Sequence, residues 1–359
     1  MMPSPFNDGG SSKAMSEQFG DQHIFDLVQG AYAANALYVL TKAGVFDRLL
    51  QGPAGSAAVA DELGLDASLL HDLLLFARSI GCIKAKDDTF AITRKSLLLC
   101  EKSQSWLRSY LLLWGDQLNP AFAQLGRQLA TGENAFALAH GARIWDLYAR
   151  DPAQHAVFLE HMENVTNQFH VATVAEEFEP GGARRLLDVG GGTGALACAL
   201  AQRHANLEAD VCDQPANAAK AAARIAARAL EERCRFVGAN IFASVPRGYD
   251  LYTIKHVLHD WDDDNAGLIL RRIAEALEGD ARLVIVEGML DRSFDGGRDE
   301  SSYLHVRNIE QRVWTPGRAR TRADFDALCA QAGLRIEQVR HLAISDISYL
   351  RCVRACAAG

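Results

Sequence analysis

The sequence predicts an α/β protein with a doubly wound parallel sheet, preceded by a helical domain of the winged-helix type. From about residue 184 onward, short apolar segments alternate with helical segments, a pattern typical of a parallel sheet covered by helices on both faces. Before that point the chain is mostly helical, with one short β-hairpin. A glycine-rich run follows the first strand of the alternating region, where sheets of this class bind ligands.

The composition is that of a folded protein with a substantial core. Of 359 residues, 49% are hydrophobic and 23% charged, and the formal net charge is −8. A net acidic chain disfavours nucleic-acid binding, and no apolar run approaches the ~20 residues that span a membrane. The N-terminal segment lacks the apolar core of a secretory signal. The eight cysteines form no CxxC pair, which is typical of reduced thiols, so we expect a cytoplasmic protein.

Four regions are expected along the chain. We expect residues 1–20 to form a flexible tail and residues 21–103 to form the winged-helix domain. Residues 104–180 read as a helical linker that also forms part of a ligand pocket, and 181–359 as the α/β domain. At Gly181 and Gly182 the pattern changes from mainly helical segments to alternating strands and helices.

The winged-helix pattern consists of two short helices and a hairpin that turns at Asp87 and Asp88. It allows a DNA-binding or a packing role. A DNA reader presents polar and basic residues on its second helix, whereas the helix from Ala67 to Ile80 is rich in leucine and carries Arg78 as its basic residue. We therefore expect packing or dimerisation.

The region 104–180 should form longer helices that break near Pro120 and Pro152. It is rich in aromatic residues, most of which should lie in the core. Some of them could line a pocket for a ring-bearing ligand. The candidates for that lining are Trp145, Met162 and Phe169.

The clearest functional motif is the run LDVGGGTGA at residues 187–195. Glycines allow a tight turn and close approach of a ligand to the backbone, and the following helix N-terminus favours polar or anionic groups. Gly190, Gly192 and Ala195 also satisfy a loose form of the dinucleotide-binding pattern G-x-G-x-x-G/A, so an NAD-binding site is an alternative interpretation. Asp213 ends the second strand and suits a ribose hydroxyl with either cofactor.

Other residues favour S-adenosylmethionine over NAD. Asp188 lies at the tip of the first strand, where it can meet the cationic end of an amino-acid cofactor. After the third strand, Asn240 offers an adenine partner and Phe242 an apolar wall, although Asn240 could simply form a turn.

The segment KHVLHDWDDD at residues 255–264 follows the fourth strand. Ligands bind at this edge of open α/β sheets. A histidine placed there could remove a proton from a substrate hydroxyl, and we expect His259 to do so.

These motifs together resemble one known family over residues 20–355. The chain is similar to the class I S-adenosylmethionine-dependent small-molecule O-methyltransferases of the plant caffeate type and their bacterial antibiotic-tailoring relatives. The resemblance rests on LLDVGGGTG, VCDQP, GANIF, KHVLHDWDDD, VIVEGML and PGRARTRADFDAL.

The resemblance implies a Rossmann-like methyltransferase sheet, a homodimer built through the N-terminal domain, and a small-molecule acceptor. It implies His259 as catalytic base and Glu287 as the glutamate that flanks it. Including the residues argued above, the expected cofactor-binding residues are Asp188, Gly190, Gly192, Asp213, Asn240, Ile241 and Lys255.

Two departures from the family pattern bear on the reaction. Ala319 stands where the family usually carries a second catalytic glutamate. His305 replaces part of an acidic segment, and could contact the substrate or join His259 and Asp260 in a metal site.

Such a set would fit metal-dependent C-methylation of an α-keto acid, with a divalent ion as additional cofactor. Arg307 or Arg312 would then pair with the substrate carboxylate. O-methylation is the leading hypothesis, C-methylation the second, and a DNA-binding regulator the third.

Overall fold

The computed structural model describes residues 11–103, 105–165, 171–291, 301–342 and 347–355. The chain divides into two compact units, Met1–Asp116 and Gln117–Gly359. A π-helical turn, Trp114–Leu118, spans the division. Among the described helices, none combines the length and apolarity that crossing a membrane requires.

The first unit contains five α-helices, two 3-10 turns (Ser96–Leu99 and Glu101–Ser103) and three short strands in its described part. The helices are α1 (Ser11–Lys42), α2 (Val45–Leu50), α3 (Ser56–Leu63), α4 (Ala67–Ser79) and α5 (Trp106–Leu113). The strands are β1 (Ala54–Gly55), β2 (Ile83–Lys86) and β3 (Thr89–Ile92), in the order β1-β3-β2. Two short helices followed by a hairpin are therefore present as expected.

Local signals explain how these elements begin and end. Asp66 caps α4, because its Oδ1 accepts the N–H of Leu69 at 2.7 Å, and Gly64 ends α3 in the left-handed conformation with φ 67°. The helix α1 begins at Ser11, so the second half of the expected tail, residues 11–20, is helical. That segment contains no proline and several good helix formers.

The apolar surface of this unit is only partly buried. On α4, Leu70 and Leu74 lie in the core, whereas Leu69 is 59% exposed, so the helix is not buried all round as its leucine content suggested. One stretch of α1 is also apolar and exposed: Ile24, Phe25, Leu27, Val28 and Tyr32.

The second unit begins with short helices. They are α6 (Asn119–Phe122), α7 (Leu125–Thr131), α8 (Ala135–His140), α9 (Ile144–Arg150), α10 (Pro152–Val165) and α11 (Val171–Glu177). Pro120 lies in the first turn of α6 and Pro152 starts α10, as the missing N–H of proline favours. The expected break at Pro152 is confirmed. Before Pro120 the chain forms the π-helical turn instead of a break, and the helices of this region are shorter than expected.

The α/β part that follows is built on a seven-stranded sheet. Its strands are β4 (Arg185–Val189), β5 (Glu208–Asp213), β6 (Phe236–Gly238), β7 (Leu251–Lys255), β8 (Arg282–Gly288), β9 (Leu334–His341) and β10 (Ile347–Arg354). The helices are α12 (Ala195–Arg203), α13 (Ala218–Ala226), α14 (Asp263–Ala276), α15 (Ser301–Trp314) and α16 (Arg322–Gln331).

The strand order is β6-β5-β4-β7-β8-β10-β9. The first five strands are parallel, and β10 pairs antiparallel with both β8 and β9. The sheet is therefore mostly parallel, and the antiparallel pair at one edge was not expected from the sequence. The order reverses between β4 and β7, which places a ligand-binding crevice at their carboxyl ends.

Both faces of the sheet are covered, because successive strand residues point to opposite sides. Leu187 and Ile254 belong to a core cluster shared with α14 and α16. Leu186 and Val211 belong to a second cluster shared with α12. The near-continuous apolar strands identified in the sequence are thus buried on both faces.

Candidate active site

The glycine loop connects β4 to α12 and lines one side of the crevice. Gly190 and Gly192 adopt left-handed conformations, with φ 71° and 58°. A Cβ on Gly190 would lie 2.6 Å from a methyl of Val257, so this loop packs against the loop after β7. A Cβ on Gly192 would meet nothing within 4 Å. The backbone at Gly192 therefore faces open space, where a ligand can approach it closely.

Asp213, at the end of β5, is bonded to that loop. Its Oδ2 accepts the N–H of Gly192 at 2.7 Å, and its Oδ1 accepts the Asn217 side-chain amide at 2.9 Å. Oδ1 also accepts the N–H of Gln214 at 2.7 Å. The carboxylate is thus fixed beside the glycine loop, and Oδ2 retains acceptor capacity for a hydroxyl.

Asp188 lies on β4 beneath the loop and is 2% exposed. Its Oδ1 accepts the hydroxyl of Thr253 on neighbouring β7 at 2.8 Å. Burial raises the pKa of Asp188 to about 6, against the lowering effects of Thr253 and Lys255. Burial also lowers the pKa of Lys255, at the end of β7. This acid and base lie at the strand ends where the sequence placed them.

The turn after β6 carries the other expected cofactor residues. Asn240 is exposed, and its side-chain oxygen accepts the N–H of Phe242 at 3.0 Å, so it does form a turn. Ile241 and Phe242 are half-buried. The Phe242 ring contacts Trp261 edge-on, with centroids 4.7 Å apart, and it joins this turn to the loop after β7.

The structure brings His259 and Glu287 together at the ends of β7 and β8. His259 lies in a 3-10 turn, Leu258–Asp260, and its Nδ1 is 2.8 Å from Oε2 of Glu287. Oε1 of Glu287 accepts the backbone N–H groups of Val257 and Leu258, each at 3.1 Å. Glu287 is 1% exposed. One buried carboxylate therefore holds both the imidazole and the loop that carries it.

Opposing forces set the protonation of these groups. Burial alone would lower the pKa of His259, but its attraction to Glu287 and Asp260, with the hydrogen bond to Glu287, raises it overall. Burial would raise the pKa of Glu287, but the two imidazoles of His259 and His256 hold it well below its usual range. Burial raises the pKa of Asp260 to about 6. Glu287 is therefore ionised at neutral pH beside a histidine of raised basicity.

His256 is a neighbour that sequence reasoning missed. Its Nδ1 lies 3.5 Å from Oε2 of Glu287, and its ring centroid is 5.3 Å from that of His259. Its backbone is left-handed, with φ 52°, a conformation that costs a non-glycine residue about 1–2 kcal/mol. Burial lowers the pKa of His256 to about 4, so its ring is neutral at pH 7.

Two residues of the PGRART segment also hold the histidine loop and were not predicted to belong to the site. Arg320, 1% exposed, donates to the backbone oxygens of Leu258 at 2.6 Å and Trp261 at 2.8 Å, and pairs with Asp263. A Cβ on Gly317 would overlap the backbone of His259. The residues that flank the turn of His259 are thus held by residues outside the turn. The available signal in the sequence was that Arg320 and Gly317 lie in the same motif as Ala319, which stands where the family usually carries a second catalytic glutamate.

An aromatic cluster extends from this loop into the helices. Trp145 on α9 stacks on Trp261 at 6.0 Å between centroids, and Phe158 on α10 contacts Trp145 and Trp314 edge-on at 5.8 and 5.5 Å. Of the three expected pocket residues, Trp145 lies in this cluster. Met162 is half-buried on α10, and Phe169 lies outside the described residues.

The alternative metal site of His259, Asp260 and His305 is not assembled among the described residues. His305 is exposed on α15. Within the described ranges, the cluster of side chains with metal-ligating geometry consists of His256, His259 and Glu287. Arg307 pairs with Glu310 on the same helix. Asp260 instead accepts the side-chain amide of Gln311 at 2.7 Å. The helix exposes His305 to solvent, and its contact with a substrate stays a prediction.

Comparisons with known proteins identify the family of this chain. Residues 122–335, more than half of the chain, match the O-methyltransferase domain family. The chain is 32% identical, over 93% of both sequences, to a mitomycin biosynthesis 6-O-methyltransferase of Streptomyces lavendulae. The structure matches that of a mitomycin 7-O-methyltransferase with a TM-score of 0.88 and 30% identity, covering 95% of this chain and all of the other.

A third match contains ligands. It is an O-methyltransferase of neocarzinostatin biosynthesis in complex with S-adenosyl-L-homocysteine and 1,4-dihydroxy-2-naphthoic acid. The TM-score is 0.78 at 25% identity, covering 90% of this chain and 96% of the other.

Together with a seven-stranded, mostly parallel sheet, these matches show that the chain belongs to the O-methyltransferase family. It is an S-adenosylmethionine-dependent O-methyltransferase that acts on a small molecule.

Proposed function

We propose that His259 is the general base of an O-methylation reaction and that Glu287 positions it. The observation that carries the proposal is the 2.8 Å contact between Nδ1 of His259 and Oε2 of Glu287. An ionised carboxylate at Nδ1 favours the tautomer with the proton on Nδ1, which leaves the lone pair of Nε2 to accept a proton from a hydroxyl. Deprotonation of the acceptor hydroxyl raises its nucleophilicity.

The residues around the glycine loop fit the cofactor. The open backbone at Gly192 admits a ligand, and the Asp213 carboxylate beside it can accept the ribose hydroxyls. Asp188, Asn240, Ile241 and Lys255 complete the proposed cofactor set. When bound, S-adenosylmethionine supplies an electrophilic methyl group, and the chain's part is to align the acceptor oxygen with it.

The acceptor proposed is a planar aromatic molecule with a ring hydroxyl. Trp145, Phe158, Trp261 and Trp314 form a continuous aromatic surface that reaches the loop of His259. Aromatic rings stack on such surfaces. The 1,4-dihydroxy-2-naphthoic acid bound to the neocarzinostatin relative is a hydroxylated naphthalene, which supports this class of acceptor.

The test is an assay with methyl-labelled cofactor and a panel of hydroxylated naphthoates, quinones and phenazines. The same rings without the hydroxyl serve as control acceptors. Methyl ethers identified by NMR, formed equally with and without a chelator, are the expected products. Methylation at carbon, or activity that a chelator abolishes, would contradict the proposal.

We also propose that the first unit is a winged-helix dimerisation domain rather than a DNA reader. The support is the exposed apolar stretch of α1, with Ile24, Leu27 and Tyr32 each more than 60% exposed. A contiguous apolar surface of this kind is typical of an interface. The proposed occupant is a second copy of the chain, since the family resemblance implies a homodimer.

A further inference from the structure

Three side chains with metal-ligating atoms converge on one point next to the general base. Nδ1 of His256 and Nδ1 of His259 lie 3.5 and 2.8 Å from the same oxygen, Oε2 of Glu287. The ligand atoms of the three residues all lie within 4.8 Å of one another. We infer that His256, His259 and Glu287 form an inhibitory site for one Zn²⁺ ion, distinct from the metal-dependent reaction considered above.

The donor set and its spacing fit zinc. Two imidazoles and one carboxylate are a common zinc ligand set, with metal–ligand bonds of about 2.0–2.2 Å. Tetrahedral angles then place ligand atoms about 3.3 Å apart. The distance between His256 Nδ1 and Oε2 of Glu287 is 3.5 Å, already near this value, and the contact of His259 must lengthen by about 0.5 Å.

The backbone holds the ligands in place. The N–H of His256 donates to the carbonyl oxygen of Val286 at 3.1 Å, on the strand that also carries Glu287. The other oxygen of Glu287, Oε1, is occupied by backbone N–H groups of the histidine loop. Oε2 is therefore directed at the two imidazoles, and binding needs little rearrangement of the chain.

The charges around the site set a moderate affinity. Asp260 lies 3.6 Å from Nε2 of His259 and adds negative charge. Lys255 precedes His256 and is the opposing cation. We therefore expect micromolar binding rather than the much tighter binding of structural zinc sites.

Metal binding at this position would remove the base without touching the acceptor. In the neutral imidazole of His259, the proton on Nδ1 faces Glu287 and the lone pair is on Nε2. When zinc takes the lone pair of Nδ1, the displaced proton moves to Nε2, so no proton is lost from the ring. Nε2 then carries hydrogen and cannot accept the proton of the hydroxyl. This inhibition rests on the proposed role of His259, whereas the binding itself does not.

The experiment compares two matched substitutions in the full-length protein. His256→Asn removes one ligand, and asparagine tolerates the left-handed backbone at this position. His305→Asn makes the same change at the exposed histidine of α15. Zinc binding to chelator-treated protein is measured by calorimetry, and Co²⁺ is used as a spectroscopic probe of tetrahedral coordination. Inhibition by Zn²⁺ is measured for each protein relative to its own metal-free rate.

We expect one zinc ion per chain in the unmodified protein and in His305→Asn, with equal affinity. Loss of an outer partner of a metal ligand costs about 10- to 100-fold in affinity. His256→Asn removes a direct ligand, so it should weaken binding by at least this much and shift the inhibition curve by the same factor. Unchanged zinc affinity in His256→Asn, or an equal loss in His305→Asn, would overturn the site. Binding that depends on His256 but does not inhibit would overturn the inhibitory role and the assignment of His259 as base, while leaving the metal site.

Discussion

The carboxylate of Glu287 contacts both the imidazole of His259, at 2.8 Å, and the backbone of the turn that carries it. A single side chain on β8 therefore sets the orientation and the tautomer of the proposed base. Because Glu287 is almost completely buried, solvent cannot compete for these contacts, and the geometry is fixed before any acceptor binds.

Replacement of the base should affect turnover and not cofactor binding. We expect His259→Gln to lower kcat by about 10²- to 10⁴-fold, the usual contribution of a general base. The Kd of S-adenosylmethionine, measured by calorimetry, should change less than about twofold, because the imidazole acts on the acceptor. His305→Gln is the control and should keep full turnover. A His259→Gln enzyme with near-normal kcat would refute the assignment.

The pH dependence should report the influence of Glu287. The base acts when unprotonated, so its raised pKa places the acid limb of the kcat/KM profile above about 6.5. In Glu287→Gln the attraction that raises this pKa is lost, and the acid limb should move to lower pH. The plateau should also fall by about 10²- to 10⁴-fold, because the amide favours the wrong tautomer. An acid limb that stays in place would show that another group titrates.

Cofactor affinity should depend on Asp213. The change Asp213→Ala removes the acceptor for the ribose hydroxyls and leaves the N–H of Gly192 without its partner. We expect binding of S-adenosylmethionine to weaken by about 1–3 kcal/mol, which is roughly 5- to 150-fold in Kd. Calorimetry with NAD on the unmodified protein should give no signal. Tight NAD binding would contradict this account of the glycine loop.

The support of the histidine loop should appear in stability. The change Arg320→Met strands the buried carbonyl oxygens of Leu258 and Trp261, at a cost of about 1–3 kcal/mol each. The matched change Arg318→Met affects a more exposed guanidinium, 27% accessible, and should cost at most about 1 kcal/mol. Urea unfolding of both variants gives the comparison, and equal losses would count against the special role of Arg320.

The proposed dimer should depend on the apolar stretch of α1. We expect Leu27→Glu to produce a monomer in light scattering, because a charge in an interface on the order of 2,000 Å² would be left unpaired. Leu129→Glu is the control, since Leu129 is 87% exposed and lies on α7. A dimer that survives Leu27→Glu, or an unmodified protein that is monomeric at all concentrations, would exclude this interface.

Local patterns predicted much of the fold and of the cofactor side of the site. The glycine loop, the parallel strands and the capped helix α4 follow from residues close in sequence, whose conformations are set by their own chemistry. The antiparallel pair of β9 and β10 was missed because β9 is an edge strand. Its apolar residues Leu334 and Ile336 alternate with polar ones, a weaker signal than the continuous apolar strands of the sheet interior.

The residues that were missed or misplaced depend on tertiary contacts. His256 lies close to Glu287 and has a left-handed backbone. This conformation is uncommon for histidine and could not be predicted from the residue type. On α15, Val306 is exposed although it is apolar, and Trp314 is buried. The pattern of apolar residues therefore does not indicate which face of α15 is directed at the site. For the same reason it could not predict whether His305 lies on that face.

Trp261 connects two parts of the enzyme that could otherwise vary separately. Trp261 lies two residues after His259 in the chain. Its backbone oxygen accepts a hydrogen bond from Arg320, and its ring stacks on that of Trp145. An acceptor that fits poorly and pushes the ring aside would also displace the base. We therefore expect poor acceptors to differ from good ones more in kcat than in KM. Loss of either contact of Trp261, with Arg320 or with Trp145, should reduce this difference in kcat.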